Sequence, residues 1–98
     1  MDAVTLALEI AVQDPAGVRI ARDVGAERVE LTQALALGGL TPSIGVLELA
    51  LEAAGEGGPE IHVLIRPRGG GFIYDADEIA VAVRDVERAI VAGAAGSR

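Results

Sequence analysis

Three times along this chain, a run of strand-forming residues gives way to a short turn and then to a helix with its own start and stop signals. No other feature constrains the fold as much. The first run is TLALEIAV, Thr5–Val12. Asp14-Pro15 then supplies a helix cap with proline in the first turn, Val18, Ala21 and Val24 share one face, and Gly25 suits the stop. The second strand is RVELT, Arg28–Thr32, followed by the loop QALALGGL. Thr41-Pro42 repeats the cap-plus-proline start, Ile44, Leu47, Leu51 and Ala54 form the next apolar stripe, and Gly55 ends it. After the turn EGGP comes the third strand, IHVLIR, Ile61–Arg66. Asp75 with Glu78 spells a capping box for the last helix. Ile79, Val83, Val86 and Ile90 run along one face of it to Gly93.

Strands that alternate with helices imply right-handed βαβ crossovers and a parallel sheet, an α/β fold. The strands are nearly continuous in apolar residues, as parallel strands covered by helices are. Such folds carry their sites on the loops that follow the strands. The chain has 98 residues, enough for one domain with a modest core.

Composition excludes several functions. The net charge of −7 offers no basic face for nucleic acid or for an anionic membrane surface. Cysteine is absent, which removes disulfides and thiolate metal sites. No apolar run approaches the roughly 18 residues of a spanning helix, and MDAVTLALEIAVQD lacks the basic start of a signal peptide. The expectation is a soluble, cytoplasmic protein.

The polar residues inside the strands are the candidates for chemistry. Glu9 and Glu30 interrupt apolar runs, and His62 and Arg66 bracket the third strand. A carboxylate in a core strand needs a partner or a function. If Glu9, Glu30 and Arg66 converge at one rim, they make either a structural ion-pair network or a substrate or ligand pocket in which they are the catalytic residues; the third reading is simple solvent exposure at a sheet edge, and all three stand. In VLIRPRGGGFIYDADE, Pro67 stiffens the turn between Arg66 and Arg68, and Gly69, Gly70 and Gly71 allow close backbone approach. Arg68 with Gly69 and Gly70 is a candidate cradle for phosphate or carboxylate. Thr41 and Ser43 add either an anion site at a helix start or ordinary capping. His62 is the only histidine, a supporting base or ligand on one reading and a hydrogen-bonded core residue on the other. No soft-metal cluster, nucleophile–base pair, Walker loop or dinucleotide fingerprint is present.

The segments LEIAV, GAERVELT, GGLTPSIGVL, IHVLIRPRGGGFIY and DADEIAVAVRDV, taken together, resemble the N-terminal part of the copper homeostasis protein CutC family, over about Thr5 to Gly96. The resemblance implies a TIM (β/α)8 barrel architecture, a cytoplasmic location and a link to copper tolerance. It also implies that Glu9, Glu30, Arg66 and Arg68 lie at the C-terminal ends of barrel strands, where barrels place active sites, and that His62, Thr41 and Ser43 are family positions. The chain departs from the family in two ways. Ala11 and Thr32 stand where many members carry cysteines proposed as copper ligands. A full barrel needs about 250 residues and eight units, whereas three units are legible here and the sequence stops at AGAAGSR, where a fourth strand would begin. The expectation is therefore a partial barrel, truncated relative to the full one. It would be prone to form homo-oligomers or to pair with the missing barrel half. The function implied is copper homeostasis, with a small molecule or a copper ion as partner. The alternatives are a barrel enzyme acting on a small anion, or a remnant without independent activity.

Overall fold

A computed structural model describes residues 8–97. Part of the first expected strand, residues 5–7, lies outside them. Four strands and three helices follow one another as β1 (Glu9–Val12), α1 (Pro15–Asp23), β2 (Arg28–Leu31), α2 (Ile44–Ala54), β3 (Glu60–Val63), α3 (Ala76–Ala92) and β4 (Gly96–Ser97). A short 3-10 turn, Leu35–Leu37, lies in the loop after β2. The sheet is parallel throughout, in the order β1-β2-β3-β4. Each strand thus joins beside its predecessor after a helical crossover, as the alternation requires. The α/β expectation holds, and the sheet gains the start of a fourth strand, in which Gly96 and Ser97 pair with His62 and Val63.

Register decides which side chains share a face. Glu9, Arg28 and Glu60 form one row, Ile10, Val29 and Ile61 the next, then Ala11, Glu30 and His62, then Val12, Leu31 and Val63. Alternation sends the second and fourth rows toward the helices. There Val12, Val29, Leu31, Ile61 and Val63 meet Val18 and Ala21 of α1, Leu47, Ala50 and Ala54 of α2, and Ala89 of α3 in one buried cluster. The first and third rows, which are mostly charged, lie on the other face. In a barrel this is the inner face.

The helix starts are explained by local chemistry. Asp14 accepts from Gly17 N at 2.7 Å to cap α1. Asp75 and Glu78 close the capping box of α3 reciprocally. The cap of α2 is Ser43, which accepts from Val46 N, and not Thr41, so the helix starts at Ile44. Arg22 Nη1 donates to Ala53 O at 2.9 Å, placing a cation at the last turn of α2.

The helix stripes need correction. Val24 is 60 % exposed and ends α1 as its cap rather than packing beneath it. Ile44 is exposed, whereas Leu47 and Ala54 are buried as the stripe requires. On α3, Ile79, Val83 and Ile90 are 54, 51 and 60 % exposed, and the helix seats on the core through Ala89 instead. Ala92 also packs against the core, so small residues make the contact while those larger apolar side chains stay exposed. The third strand ends at Val63, three residues short of Arg66, although Leu64 N still donates to Leu31 O.

Candidate functional site

The expected polar residues fall into two places. On the inner face, near the strand starts, Arg28 Nε lies 3.6 Å from Glu9 Oε2. Their Cα positions are opposite in register, so the pair bridges β1 and β2 directly. Two rows on, the next on this face, Glu30 stands between Ala11 and His62. His62 Nε2 lies 3.1 Å from Glu60 Oε2, two residues back on its own strand. Arg28 was missed from sequence; its place opposite Glu9 follows only from register.

Arg66 is elsewhere. It comes six residues after Glu60, roughly 20 Å along an extended chain, on the rim where the strands end. The structure brings Glu9 to Arg28, not to Arg66. The single mouth expected from the sequence is replaced by an inner-face cluster and a separate rim. The reason is that Glu9 opens its strand, whereas Arg66 follows the end of its own.

At the rim both arginines turn inward onto backbone carbonyls. Arg66 Nη1 donates to Leu37 O (2.9 Å) and Gly39 O (3.3 Å), and Nη2 donates to Gly70 O (3.0 Å). Its Nε is buried without an acceptor. Arg68 engages all five of its N–H groups: Nε and Nη2 with Glu78, Nη1 with Gly69 O and Gly71 O, and Nη2 also with Ile73 O. Each guanidinium lies over an aromatic ring at 5.0 Å, Arg66 over Phe72 and Arg68 over Tyr74. The glycines named as an anion cradle therefore present carbonyls to arginines of their own loop. The hydrogen bond to Glu78 raises the Arg68 pKa further above its ordinary range. Glu78 is held below the usual carboxylate value, first by the Asp75 backbone N–H and then by Arg68.

The loop after β2 forms the other half of the rim. Gln33 and Leu40 pair through both backbone bonds, and Thr32 Oγ1 donates to Leu40 O at 2.9 Å. Thr32 is 1 % exposed and lies beneath this loop. Gly39 (φ +91°) seats against it so closely that a Cβ would stand 2.7 Å from Thr32 Oγ1 and 2.9 Å from Leu64 Cδ2. Thr41 Oγ1 accepts from Arg66 N at 2.7 Å. Ser43 N donates to Gln33 Oε1 at 3.1 Å while its hydroxyl caps α2. Thr41 and Ser43 thus act in loop closure and capping. They border a cleft of about 400 Å³ between α2 and α3, which Asp85 and Arg88 also line. Among the described residues, no group of three or more His, Cys, Asp or Glu stands together as a metal site would require.

Comparison with known proteins places this architecture. The CutC family profile matches residues 6–97. A CutC family protein of Sinorhizobium medicae is 47 % identical over 89 residues, covering 91 % of this chain and 35 % of the relative. One of Agrobacterium fabrum is 45 % identical over 96 residues, covering 98 % of this chain and 37 % of the relative. The crystal structure of a copper homeostasis protein CutC from Streptococcus agalactiae superposes with a TM-score of 0.84 at 32 % identity, over 94 % of this chain and 44 % of that one. The chain thus spans little more than a third of the length of these curated relatives, and its sheet is the corresponding part of a TIM barrel. With a family profile matched over nearly all its residues, the chain belongs to the CutC family.

Proposed function

We propose that this chain acts in cytoplasmic copper homeostasis and that it contributes barrel wall and rim rather than copper ligands. The observation that carries the reading is the family match along residues 6–97, joined to a solved relative assigned by name to copper homeostasis. No described helix is long and apolar enough to cross a membrane.

The residues present do not fit copper(I) as a bound ion. Soft copper favours thiolate, thioether and imidazole ligands. This chain has no cysteine, a single methionine at its first position, and one histidine, which faces Glu60. Ala11 lies on β1 and Thr32 directly follows the neighbouring β2, and neither side chain ligates a soft metal. The role proposed is therefore one of structure and access: an inner face of alternating charge, with the loop after β2 packed over Thr32 and Leu64 at its upper end.

An enzyme acting on a small anion is the weaker reading. Arg68 has no donor left to offer, and Arg66 has three of its N–H bonds directed at carbonyls. An anion would have to displace the loops that these arginines hold.

Two measurements test the proposal. Titration of the chain with copper(I) against a chromophoric chelator should show no stoichiometric transfer to the protein; tight one-to-one transfer refutes the absence of ligation. Deletion of the gene should change copper tolerance in the source organism. Growth identical to wild type across a copper series refutes the homeostasis role.

A further inference from the structure

Arg66 touches both rim loops at once. Its backbone exchanges two hydrogen bonds with Thr41, donating to Oγ1 at 2.7 Å and accepting from Thr41 N at 3.0 Å. Its guanidinium then holds Leu37 O and Gly39 O on the loop after β2, and Gly70 O on the loop after β3. Phe72 of the second loop lies over the same group. Gly38 (φ +86°) leaves the room: a Cβ there would stand 2.8 Å from Arg66 Nη1.

From these contacts we infer that Arg66 is a strap that makes the loops after β2 and β3 one cooperative unit, so that neither opens alone. Lifting the loop after β2 takes two acceptors from Nη1. The Nε of the same group is already buried without an acceptor. A guanidinium stripped further in that position would hold several uncompensated donors, and each costs free energy. The less costly route releases the whole side chain to water, and that breaks the bond to Gly70 O and the Phe72 contact together. The loop after β2 also covers Thr32 and Leu64, the upper end of the inner face. Anything that displaces the loop after β3 therefore uncovers the inner face beneath its neighbour.

Amide hydrogen exchange and backbone 15N relaxation on the full 98-residue chain test the strap. In Arg66→Met, the hydrogen-bonded amides of Gly38, Gly39 and Leu40 should exchange roughly tenfold faster, and the backbone order parameters of residues 69–74 should fall with them, while the β2 amides change much less. The reciprocal variant is Gly38→Ala, which pushes on the guanidinium from the first loop. It should lower the order parameters across residues 69–74, which the substitution does not touch. Gly38→Ala also carries the test should Arg66→Met fail to fold. Loosening confined to one of the two loops in either variant overturns the inference, as does exchange accelerated to the same degree at Val29 and Leu31.

Discussion

Arg68 and Glu78 are joined by two hydrogen bonds between guanidinium and carboxylate, and the same carboxylate also accepts from Asp75 N at 3.0 Å. Glu78 thereby belongs to two structures: it closes the cap of α3, and it anchors the arginine around which the glycine loop is wound. The two positive charges in the loop beyond β3 find their role here. The charges organise the loop from within.

Acid titration should reveal this pair. Glu78 is held below its ordinary value of 4.5, so its contribution is fully present above that pH and is lost as pH falls through the lower value of the folded state. Melting temperatures of the wild type should fall on acidification below about pH 4.5, whereas Glu78→Gln should start lower and show a shallower acid limb. Parallel acid limbs in the two proteins would refute the assignment.

Removing the cap itself gives a second outcome. Asp75 Oδ1 accepts from Glu78 N at 2.8 Å. Asp75→Ala should destabilise the chain by about 1 kcal/mol, as capping losses do, while Asp75→Asn should retain most of that. Urea denaturation of both variants checks the difference.

Thr32 provides a buried test. Its hydroxyl is the donor that fixes Leu40 O to the end of β2. Thr32→Val preserves the shape, leaves that carbonyl without its side-chain donor, and should cost about 1–2 kcal/mol in urea unfolding. Thr32→Ser keeps the donor and should lose less.

The Glu9–Arg28 pair should matter little to stability. Both side chains are partly exposed, and at 3.6 Å the contact is a single-point one. Arg28→Met should cost no more than about 1 kcal/mol, and less in high salt. A loss of several kcal/mol in chemical denaturation would mean that the inner face depends on this arginine far more than its geometry indicates.

The core should behave oppositely. Leu31 is fully buried between sheet and helices. Leu31→Ala should cost about 2–5 kcal/mol, a large share of the stability of a domain of this size. A melt still cooperative near the wild-type temperature would refute that placement.

Much of this was legible in the residues. Asp14-Pro15, the Asp75–Glu78 box, Gly55 and Gly93 mark helix ends by short-range chemistry, and the structure uses all of them. The parallel order follows from alternation alone. Two kinds of information were not legible. The faces of Ile79, Val83 and Ile90 depend on which neighbours stand beside α3, and periodicity records an apolar stripe without saying what covers it. The partners of Arg66 and Arg68 are mostly backbone carbonyls, and every residue type carries the same carbonyl. The expected meeting of Glu9 with Arg66 failed for a simpler reason: residue type cannot tell the beginning of a strand from its end.

The alternation of the sheet has one more consequence. Its inner side bears Glu9, Arg28, Glu30, Glu60 and His62 within two rows. A surface this dense in ionisable groups resists drying, because stripping water from carboxylates costs more than apolar contact returns. Any polypeptide facing it must therefore bring polar groups or a layer of solvent, and the hollow enclosed between them is a wet one.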